Sequence, residues 1–430
     1  MGKSWGRWPS YSQRIHPVTD RFESLGPDAP MLPFGNGRSY GDVCLNKDGV
    51  LLATRGLDRF IAFDAASGLL ECEAGVLLDE VIKLTLPRGW FLPVTPGTSF
   101  VSVGGAIAND VHGKNHHRAG SFCNHVVEFE LLRSDGEVIR CTPRENSDWF
   151  CATAGGLGLT GLIRRATLQL RRVPGMWIRG DSRRFHSLRE FLDIARDSDA
   201  DYEYTVAWLD CAASAAKLGR GVFMRGNHAP SDRSPHLRAP WRFPVTPPMS
   251  LVNGLSLAVF NKLYFHRPAA AQPDALWDFR SFFYPLDGIL EWNRMYGPRG
   301  FFQYQCVVPE ETAVDSLQEM LTLIGKSGSG SFLVVLKLFG AVPSLGMLSF
   351  PRPGVTLALD FPNRGRPTLE LLESLDTITR SVKGAVYPAK DARMSGESFR
   401  AYFPNWIEFQ SYIDPHFSSS FWRRVTGTGQ

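Results

Sequence analysis

The residues between Pro96 and His125 combine flexible backbone with polar side chains that could bind and react. This stretch reads PGTSFVSVGGAIANDVHGKNHHRAGSFCNH, so glycines lead directly into histidines, a lysine and asparagines. Glycine permits positive φ and lets the backbone approach a ligand closely. Backbone amides arranged in such loops bind phosphate groups. The pattern therefore predicts a phosphate-bearing cofactor, with the polar residues beside its reactive end.

Two other glycine clusters accompany this stretch. Residues 35–41 read GNGRSYG and residues 155–161 read GGLGLTG. No GxGxxG motif follows a strand in the way that a Rossmann dinucleotide-binding unit requires. Each cluster alone is weak evidence, because most loop glycines only turn the chain. The three clusters together, in this order, are much stronger evidence for a cofactor-binding fold.

The composition is that of an ordinary globular protein. The 430 residues are 43% hydrophobic, which is enough for two domains with their own cores. The net charge of +4, from 47 basic and 43 acidic residues, implies no general affinity for nucleic acid. The 7 cysteines are odd in number and include no CxxC pair. We therefore expect reduced core cysteines, with neither a disulfide framework nor a zinc site.

The sequence contains no recognisable membrane or export segment. The N-terminal residues MGKSWGRWPSYSQ lack the apolar run of a secretory signal peptide. No stretch reaches the roughly 18 uninterrupted apolar residues that span a bilayer. The cytoplasm, or a peripheral position on the cytoplasmic membrane, is therefore the expected location.

The hydrophobic pattern mixes strands and helices. Short apolar strands separated by turn residues are predicted early in the chain, at 50–54, 59–63 and 68–73. The segments VVEFELL and EVIRC flank Ser134, Asp135 and Gly136, which is a hairpin signal. Helical periodicity follows at 77–86, 186–197 and 311–328. The mixture predicts an α+β protein.

Several motifs occur in an order that is similar to a known enzyme family. They are GRSYGD (37–42), TPGTSFVSVGGAIANDVHGKNHHRAGSFCNHV (95–126), GGLGLTG (155–161), FFQYQCVVP (301–309), LKLFG (336–340) and YPAKDAR (387–393). With this set the chain resembles the FAD-dependent oxidoreductases of the vanillyl-alcohol oxidase superfamily, which share a PCMH-type FAD-binding domain. Within that superfamily it is most similar to the oxidases that act on decaprenylphosphoryl-ribose.

The resemblance implies which residues bind FAD. The first two glycine clusters match the loops whose backbone holds the FAD pyrophosphate, and later residues match positions along the flavin. The complete cofactor-binding set that it implies is Gly35, Asn36, Gly37, Arg38, Ser39, Tyr40, Gly41, Gly97, Ser102, Val103, Gly104, Gly105, Asn109, His112, Ile163 and Tyr387.

The resemblance also implies a catalytic group. Lys390, in YPAKDAR, matches the active-site lysine of the family, while His112 and Tyr40 match residues that face the flavin. Oxidation of an alcohol by a flavin needs a group that takes the hydroxyl proton and positive charge beside the reduced ring. Either Lys390 or His112 could be the base, and the sequence leaves both open.

Four polar residues form the expected substrate side. Gln303, Gln305 and Lys337 match substrate-side residues of the family, and Lys114 completes the set. Alternation along a strand places Gln303 and Gln305 on one face. Lys337 interrupts the apolar run FLVVLKLFG, where an unpaired charge would be costly to bury. We therefore expect Lys337 to face a cavity or an anion such as a substrate phosphate.

The histidines admit two further interpretations. His112 lies where some superfamily members bond FAD covalently, but the most similar members do not, so we expect noncovalent FAD. Metal binding by His112, His116 and His117 is a rival interpretation, because histidines at i and i+4 can share a helical face. Gly113 and the lack of an HExxH glutamate count against it, so we expect no metal.

One segment departs from the family pattern. In the mycobacterial enzymes a cysteine and an asparagine precede the DFP tripeptide, whereas this chain has Ala358 and Thr356 in those places. Inhibitors that capture that cysteine should therefore not react with this protein. The pocket is also expected to differ in shape and polarity.

Residues 225–265 are rich in proline, arginine and bulky apolar residues. The prolines exclude a continuous helix over the first half, and the basic and apolar mixture suits a mobile loop on a lipid surface. Peripheral membrane contact through 225–265 is one interpretation of this composition. The other is an ordinary surface loop followed by a helix that packs on the cap.

The sequence thus predicts an FAD domain (1–172), a substrate-binding cap domain with an antiparallel sheet (173–378) and a C-terminal segment (379–430) that returns Tyr387 and Lys390 to the flavin. The resemblance implies oxidation of the ribose 2′-hydroxyl of a polyprenyl-phosphoryl-β-D-ribose to a 2′-keto sugar. This is the first half of an epimerisation to arabinose for polysaccharide precursors, completed by a separate NAD(P)H-dependent reductase. The alternatives are oxidation of a soluble sugar, alditol or aldonolactone and, more distantly, a non-catalytic flavin-binding protein.

Overall fold

The computed structural model describes residues 2–26, 29–211, 217–232, 240–267 and 271–427. The first part of the chain alternates short strands with short helices. Its strands are β1 (Arg14–Pro17), β2 (Met31–Phe34), β3 (Val50–Ala53), β4 (Phe60–Asp64), β5 (Leu69–Glu73), β6 (Trp90–Phe91), β7 (Val126–Leu132), β8 (Val138–Cys141), β9 (Leu162–Gln169) and β10 (Arg171–Arg172). Its helices are α1 (Leu78–Thr85), α2 (Val103–Ala108), α3 (His116–Ala119) and α4 (Ser147–Thr153).

Sheets of two kinds organise this first part. Strands β1, β3 and β2 form a small parallel sheet with β3 in the middle. Strands β4, β5, β9, β7 and β8 follow one another in that order in an antiparallel sheet. There Leu132 pairs with Val138 across a turn in which Gly136 has a φ of 90°, a conformation that glycine adopts freely. The predicted hairpin is therefore confirmed.

The second part contains longer strands and helices. Its strands are β11 (Trp177–Phe185), β12 (Tyr204–Leu209), β13 (Gly221–Ala229), β14 (Trp241–Arg242), β15 (Gln272–Asp278), β16 (Ile289–Leu290), β17 (Phe301–Val308), β18 (Val334–Phe339), β19 (Gly354–Pro362) and β20 (Ala385–Val386). Its helices are α5 (Leu188–Ser198), α6 (Gly254–His266), α7 (Phe279–Phe283), α8 (Glu310–Lys326), α9 (Arg366–Ser381), α10 (Gly396–Tyr402), α11 (Trp406–Phe409) and α12 (Ser420–Thr426).

A large antiparallel sheet dominates the second part. Within the described ranges it contains eight strands in the order β15, β11, β13, β12, β18, β19, β17 and β20. Helices α5, α8 and α9 pack on it, so that Phe191, Leu317 and Leu372 share a buried core with the strand residues Leu336 and Leu357. Helices α1, α5 and α8 lie where helical periodicity predicts them. The predicted α+β class, with an antiparallel sheet beyond the FAD domain, is confirmed.

Helix α7 joins the two parts through aromatic packing. Phe282 and Phe283 belong to the same buried core as Phe91 and Phe129 of the first part. The rings of Phe91 and Phe283 lie 5.3 Å apart between centroids. Burial of such large rings removes much apolar area from water and stabilises the contact between the two parts.

The C-terminal segment returns to the first glycine loop. The amide of Tyr40 donates a hydrogen bond of 2.9 Å to the carbonyl of Ala389. A Cβ on Gly41 would lie 1.8 Å from the carbonyl oxygen of Asp391, so only glycine permits this close approach. Strand β20 lies in the large sheet although it follows residue 378. The domain boundaries at 172 and 378 stay predictions.

The segment 225–265 begins in β13 and ends in helix α6. Residues 233–239 of this predicted membrane segment lie outside the described residues. Strand β14 pairs in parallel with β16, and the helix begins only at Gly254. In the described part of the chain, no helix combines the length and the apolar content needed to cross a bilayer.

Candidate active site

A deep cavity lies between the glycine loops, strands β17 to β19 and the returning C-terminal segment. Its empty space, including the open mouth, is about 1760 Å³. Its lining combines the glycine loops of the first part with strand residues of the second, so both parts of the chain contribute to one site. The predicted site residues that line it are Gly35, Asn36, Gly37, Arg38, Ser39, Tyr40, Gly97, Ser102, Gly104, Gly105, Asn109, His112, Ile163, Gln303, Gln305, Lys337, Tyr387 and Lys390.

The other predicted site residues lie behind this wall. Gly41 is packed against the backbone of the C-terminal segment, and Val103 is fully buried in the core. Lys114 Nζ donates to the carbonyl of Phe282 and lies 4.9 Å from the centroid of that ring. The side chain of Lys114 therefore contacts α7. Its positive charge lowers the pKa of Lys337, which does line the cavity.

Backbone glycines form one end of the cavity. A Cβ on Gly35 would lie 2.3 Å from Ser102 Oγ, and Gly37 has a φ of +59°. Ser102 Oγ accepts a hydrogen bond of 3.3 Å from the amide of Gly105 at the start of α2. Gly97 lines the cavity, and a Cβ there would meet no atom within 4 Å. At these glycines no side chain covers the backbone amides, and exposed amides can bind an anionic pyrophosphate.

Arg38 is held over two aromatic rings at the cavity wall. Its guanidinium carbon lies 4.1 Å from the Trp5 centroid and 5.1 Å from that of Phe100. Burial lowers the pKa of Arg38, and the Asp287 carboxylate opposes that shift. Trp5 and Asp287 also line the cavity. Sequence reasoning missed both because neither lies in a glycine cluster or a polar motif.

Asn109, Ile163 and Tyr387 line the cavity wall. Asn109 Nδ2 donates to the carbonyl of Gly105 at 2.9 Å, whereas Asn109 Oδ1 is buried with no hydrogen-bond partner among the described residues. The Tyr387 hydroxyl donates to the carbonyl of Asn109 at 2.8 Å, and its ring stacks on Phe350 at 4.6 Å between centroids. This wall offers apolar surface and one free amide oxygen, which suits a planar heterocycle that carries an N–H group.

His112 uses both of its ring nitrogens. Lys337 Nζ lies 3.0 Å from Nδ1, and the side-chain amide of Gln305 lies 2.8 Å from Nε2. Burial and the charge of Lys337 hold the pKa of His112 well below its usual range, so the ring is neutral. A charged lysine can only donate, which makes Nδ1 the acceptor and Nε2–H the donor. The structure places the amide nitrogen of Gln305 toward His112, where it also donates to Thr356 Oγ1 at 3.2 Å, so a charged Lys337 would require this amide to turn over and present its oxygen to Nε2–H.

Partly buried lysines make this end of the cavity electropositive. Burial and the charges of Lys114 and Lys390 lower the pKa of Lys337 to about 7. Burial also lowers the pKa of Lys114 to about 7. It lowers the pKa of Lys390 to about 8, with the nearby Asp360 carboxylate opposing the shift. A bound anion would offset the cost of keeping these ammonium groups charged.

Tyr40 and Lys390 meet beside a buried carboxylate. Lys390 Nζ lies 3.9 Å from the centroid of the Tyr40 ring. Gln303 Nε2 donates to Asp360 Oδ1 at 2.6 Å, and the Gln303 side chain also contacts the Tyr40 hydroxyl. Burial raises the pKa of Asp360 to about 7, and Gln303 and Lys390 oppose the shift. Sequence reasoning missed Asp360, although a charge in the apolar run GVTLALDFP is the same signal that identified Lys337.

The histidines that could have formed a metal site have different neighbours. His117 Nε2 hydrogen-bonds to the carbonyl of Tyr202 at 3.1 Å. The His116 ring packs on Phe339 with 4.4 Å between centroids. No group of three or more histidine, cysteine, aspartate or glutamate side chains is placed to hold a metal ion in the described ranges of the chain. The geometry gives the metal interpretation no support.

Known proteins share both the cofactor region and most of the chain. The FAD binding domain family matches residues 26–142. Decaprenylphosphoryl-beta-D-ribose oxidase of Mycolicibacterium smegmatis is 39% identical over 407 residues, which are 91% of this chain and 88% of that protein. An uncharacterized protein from the mprA 5′ region of Streptomyces coelicolor is 34% identical over 81% of this chain and 100% of its own. Cytokinin dehydrogenase 3 of Arabidopsis thaliana is 31% identical over 35% of this chain and 30% of its own.

The residues of the cavity fit FAD. The glycine loops at 35–41 and 97–105 lie inside the region that matches the FAD binding domain. The apolar residue Ile163, the ring of Tyr387 and the partnerless oxygen of Asn109 fit the ring system of a flavin. FAD is therefore the cofactor, and the protein is an FAD-dependent oxidoreductase. Since the match to the mycobacterial enzyme covers nearly all of both proteins, the chain belongs to the decaprenylphosphoryl-beta-D-ribose oxidase family of the vanillyl-alcohol oxidase superfamily.

Proposed function

We propose that this protein oxidises the ribose 2′-hydroxyl of a polyprenyl-phosphoryl-β-D-ribose to the 2′-keto sugar. The observation that carries the proposal is the pair of partly buried lysines, Lys337 and Lys390, at the end of the cavity that His112 and Tyr40 line. A sugar that carries a phosphate needs cations and hydroxyl partners at this end. The name of the Mycolicibacterium smegmatis relative supports the same substrate.

Lys390 is the proposed base. Bound FAD would accept the hydride from the ribose carbon. Lys390 lines the cavity, and its pKa of about 8 lets a useful fraction of the amine be neutral near neutral pH. His112 is a poorer base, because its ring nitrogens already bond to Lys337 and Gln305. Its role is to hold those two substrate-side groups in place.

We propose that FAD is bound without a covalent bond, and the same contacts support this. A covalent bond to flavin would consume one ring nitrogen of His112 and break its hydrogen bond to Lys337 or Gln305. Leaving a buried polar partner unpaired costs about 1–3 kcal/mol. The two hydrogen bonds of His112 therefore support noncovalent binding, in which the glycine loops and the residues Asn109, Ile163 and Tyr387 hold FAD.

Lys337, Gln303 and Gln305 are the proposed substrate contacts. Gln303 and Gln305 lie two residues apart on β17, and both line the cavity, as alternation along a strand requires. Lys337 lies on β18, which β19 separates from β17, and its amino group bonds to His112 and to the carbonyl of Gly113. A phosphate near Lys337 and ribose hydroxyls near the two amides would use all three groups.

Anaerobic absorption spectroscopy of the purified holoenzyme tests this function. A short-chain polyprenyl-phosphoryl ribose should bleach the flavin band of the wild type, and Lys390→Ala should stay yellow while retaining FAD. Bleaching by a free sugar, alditol or aldonolactone, with none by the lipid-linked ribose, would move the substrate to a soluble class. A flavin that no candidate reduces would count against catalysis altogether.

We further propose that the protein contacts the cytoplasmic face of a membrane through helix α6 and the segment before it. Large exposed apolar residues are concentrated there, among them Met249 at 71% and Leu263 at 67% exposure. Arg242 and Lys262 are exposed within the same region, as an anionic lipid surface would favour. Phe260 also packs on Phe332, in a cluster that extends to the cavity residue Trp292. An isoprenoid chain could follow this apolar path inward.

Vesicle co-sedimentation tests the membrane proposal. Phospholipid vesicles that contain phosphatidylglycerol should carry down the wild type but not a Met249→Asp, Leu263→Asp double variant. Ile407→Asp is a matched control, because Ile407 is also an exposed apolar residue but lies on α11. Equal sedimentation of all three proteins would contradict the proposal.

A keto sugar made by this protein would need a second enzyme. Reduction of the 2′-keto group from the opposite face would yield the arabinose epimer, and this step needs a hydride donor such as NAD(P)H. We propose that a separate reductase supplies it. Rapid reduction of the product by a cell extract with NADPH, but not without it, is the expected result.

A further inference from the structure

Asp360 is a buried carboxylate next to the cavity with few partners. Asp360 is 1% exposed and lies on β19, directly opposite Gln303 of β17. The carboxylate accepts a hydrogen bond of 2.6 Å from Gln303 Nε2. The other charged or titratable groups that face it are Lys390, Tyr296 and Tyr40. Burying a carboxylate with so few partners costs free energy of folding, so we expect this group to have a function.

The hydrogen bond fixes the orientation of the Gln303 amide. An ionised carboxylate can only accept, so it requires the amide nitrogen of Gln303 on its own side. The amide oxygen is then left for a donor on another side, and Gln303 lines the cavity. A protonated carboxyl group could instead donate to that oxygen and so allow the amide to turn over.

We propose that Asp360 is a positioning residue that turns the carbonyl oxygen of Gln303 toward the cavity, where it accepts a hydrogen bond from a sugar hydroxyl. The carboxylate also balances the ammonium group of Lys390. This inference rests on the proposed function, since it assigns an acceptor to the ribose. The two glutamines have different neighbours, because the amide nitrogen of Gln305 lies against His112 and Thr356 and no carboxylate holds it.

The pH dependence of substrate binding provides the first test. Burial raises the pKa of Asp360 to about 7, so the carboxylate gains its proton as the pH falls through that value. The KM of the wild-type holoenzyme should therefore rise as the pH falls from 8 to about 6. Lys337 and Lys114 gain positive charge over the same range, which would lower the KM for an anionic substrate. The effect of Asp360 is therefore taken from the ratio of the wild-type KM to the KM of Gln303→Leu, because both proteins keep these lysines.

Two variants identify the origin of that rise. Gln303→Leu should raise KM about tenfold at pH 8, the usual effect of losing one hydrogen bond, and should abolish the rise at low pH. Asp360→Asn should raise KM similarly, and its effect should not add to that of Gln303→Leu in the double variant. Asp360→Asn should also move the pH midpoint of kcat to a lower value, because the Asp360 carboxylate raises the pKa of Lys390.

The outcomes separate this inference from the proposed function. If Gln303→Leu raises KM by the same factor at pH 6 as at pH 8, or if the effects of the two variants are fully additive, the role of Asp360 is overturned while flavin reduction remains normal. Failure of the lipid-linked ribose to reduce wild-type flavin would count against the proposed function instead. The comparison of the wild type with Gln303→Leu leaves Asp360 and the lysines in place, so it decides the matter even where Asp360→Asn does not fold.

Discussion

Lys390 Nζ lies 3.9 Å from the centre of the Tyr40 ring, although the two residues come from opposite ends of the chain. The backbone beside them explains the contact, because the amide of Tyr40 bonds to Ala389 and the absence of a side chain at Gly41 lets Asp391 approach. An ammonium group over an aromatic face is stabilised by the ring quadrupole. The contact therefore places the proposed base at a fixed point of the cavity wall.

Replacement of Lys390 should separate chemistry from cofactor binding. Lys390→Met removes the amine but keeps a side chain of similar length, so FAD should remain bound. Loss of the base should slow flavin reduction by about 10²–10⁴-fold, as is usual for general base catalysis. Stopped-flow reduction measures the rate, and the exposed Lys326 at the end of α8 offers Lys326→Met as a control. Equal rates in all three proteins would exclude Lys390 as the base.

The pH profile should report the protonation of Lys390. Burial lowers the pKa of this group to about 8, with Asp360 opposing the shift. If the neutral amine accepts the hydroxyl proton, the reduction rate should rise with pH and level off above about 8. A rate that instead falls above pH 8 would mean that the ammonium form is required, and the base would have to be another group.

Denaturation should release the flavin. Because both ring nitrogens of His112 are hydrogen-bonded to neighbouring side chains, no bond to FAD is expected. After precipitation of the wild type with acid, the yellow colour should appear in the supernatant, and chromatography should identify intact FAD. Flavin that stays with the polypeptide, and is lost in His112→Ala, would contradict the expectation.

Arg424 should be important for stability. Its guanidinium group bonds to both oxygens of Asp42 at 2.7 and 2.9 Å and to Asp391 at 3.0 Å, and both carboxylates are buried. Arg424→Gln leaves these charges unpaired and should lower the free energy of unfolding by about 3 kcal/mol. The matched control Arg366→Gln breaks an exposed pair with Glu370 and should cost at most about 0.5 kcal/mol. Urea titrations measure both, and equal losses would refute the distinction.

Lys114 should oppose folding near neutral pH. Burial lowers its pKa from 10.5 to about 7, so the unfolded chain binds its proton more tightly between those values. Lys114→Met should therefore raise the free energy of unfolding by about 1–3 kcal/mol at pH 7, and the gain should shrink as the pH rises toward 10. Thermal unfolding at several pH values checks this. A large rise in KM would show instead that Lys114 touches the substrate.

The sequence by itself determined the local elements and the chemical inventory. Alternation along β17 placed Gln303 and Gln305 on one face, and the apolar run around Lys337 indicated that this lysine faces a cavity. The hairpin of β7 and β8 and helices α1, α5 and α8 follow from periodicity and turn residues. Such features depend on neighbours a few residues away, so they can be read without the fold.

The tertiary structure alone decided which of these residues meet. It paired Asp360 with Gln303, turned Lys114 toward Phe282 and joined Arg424 to Asp42. Those contacts link residues that lie 57 to 382 positions apart in the chain. These long-range contacts depend on the strand order, on the close approach at Gly41 and on burial. No local sequence pattern determines these three features. The pKa values of the buried groups depend on the same long-range packing, because desolvation is set by the whole fold.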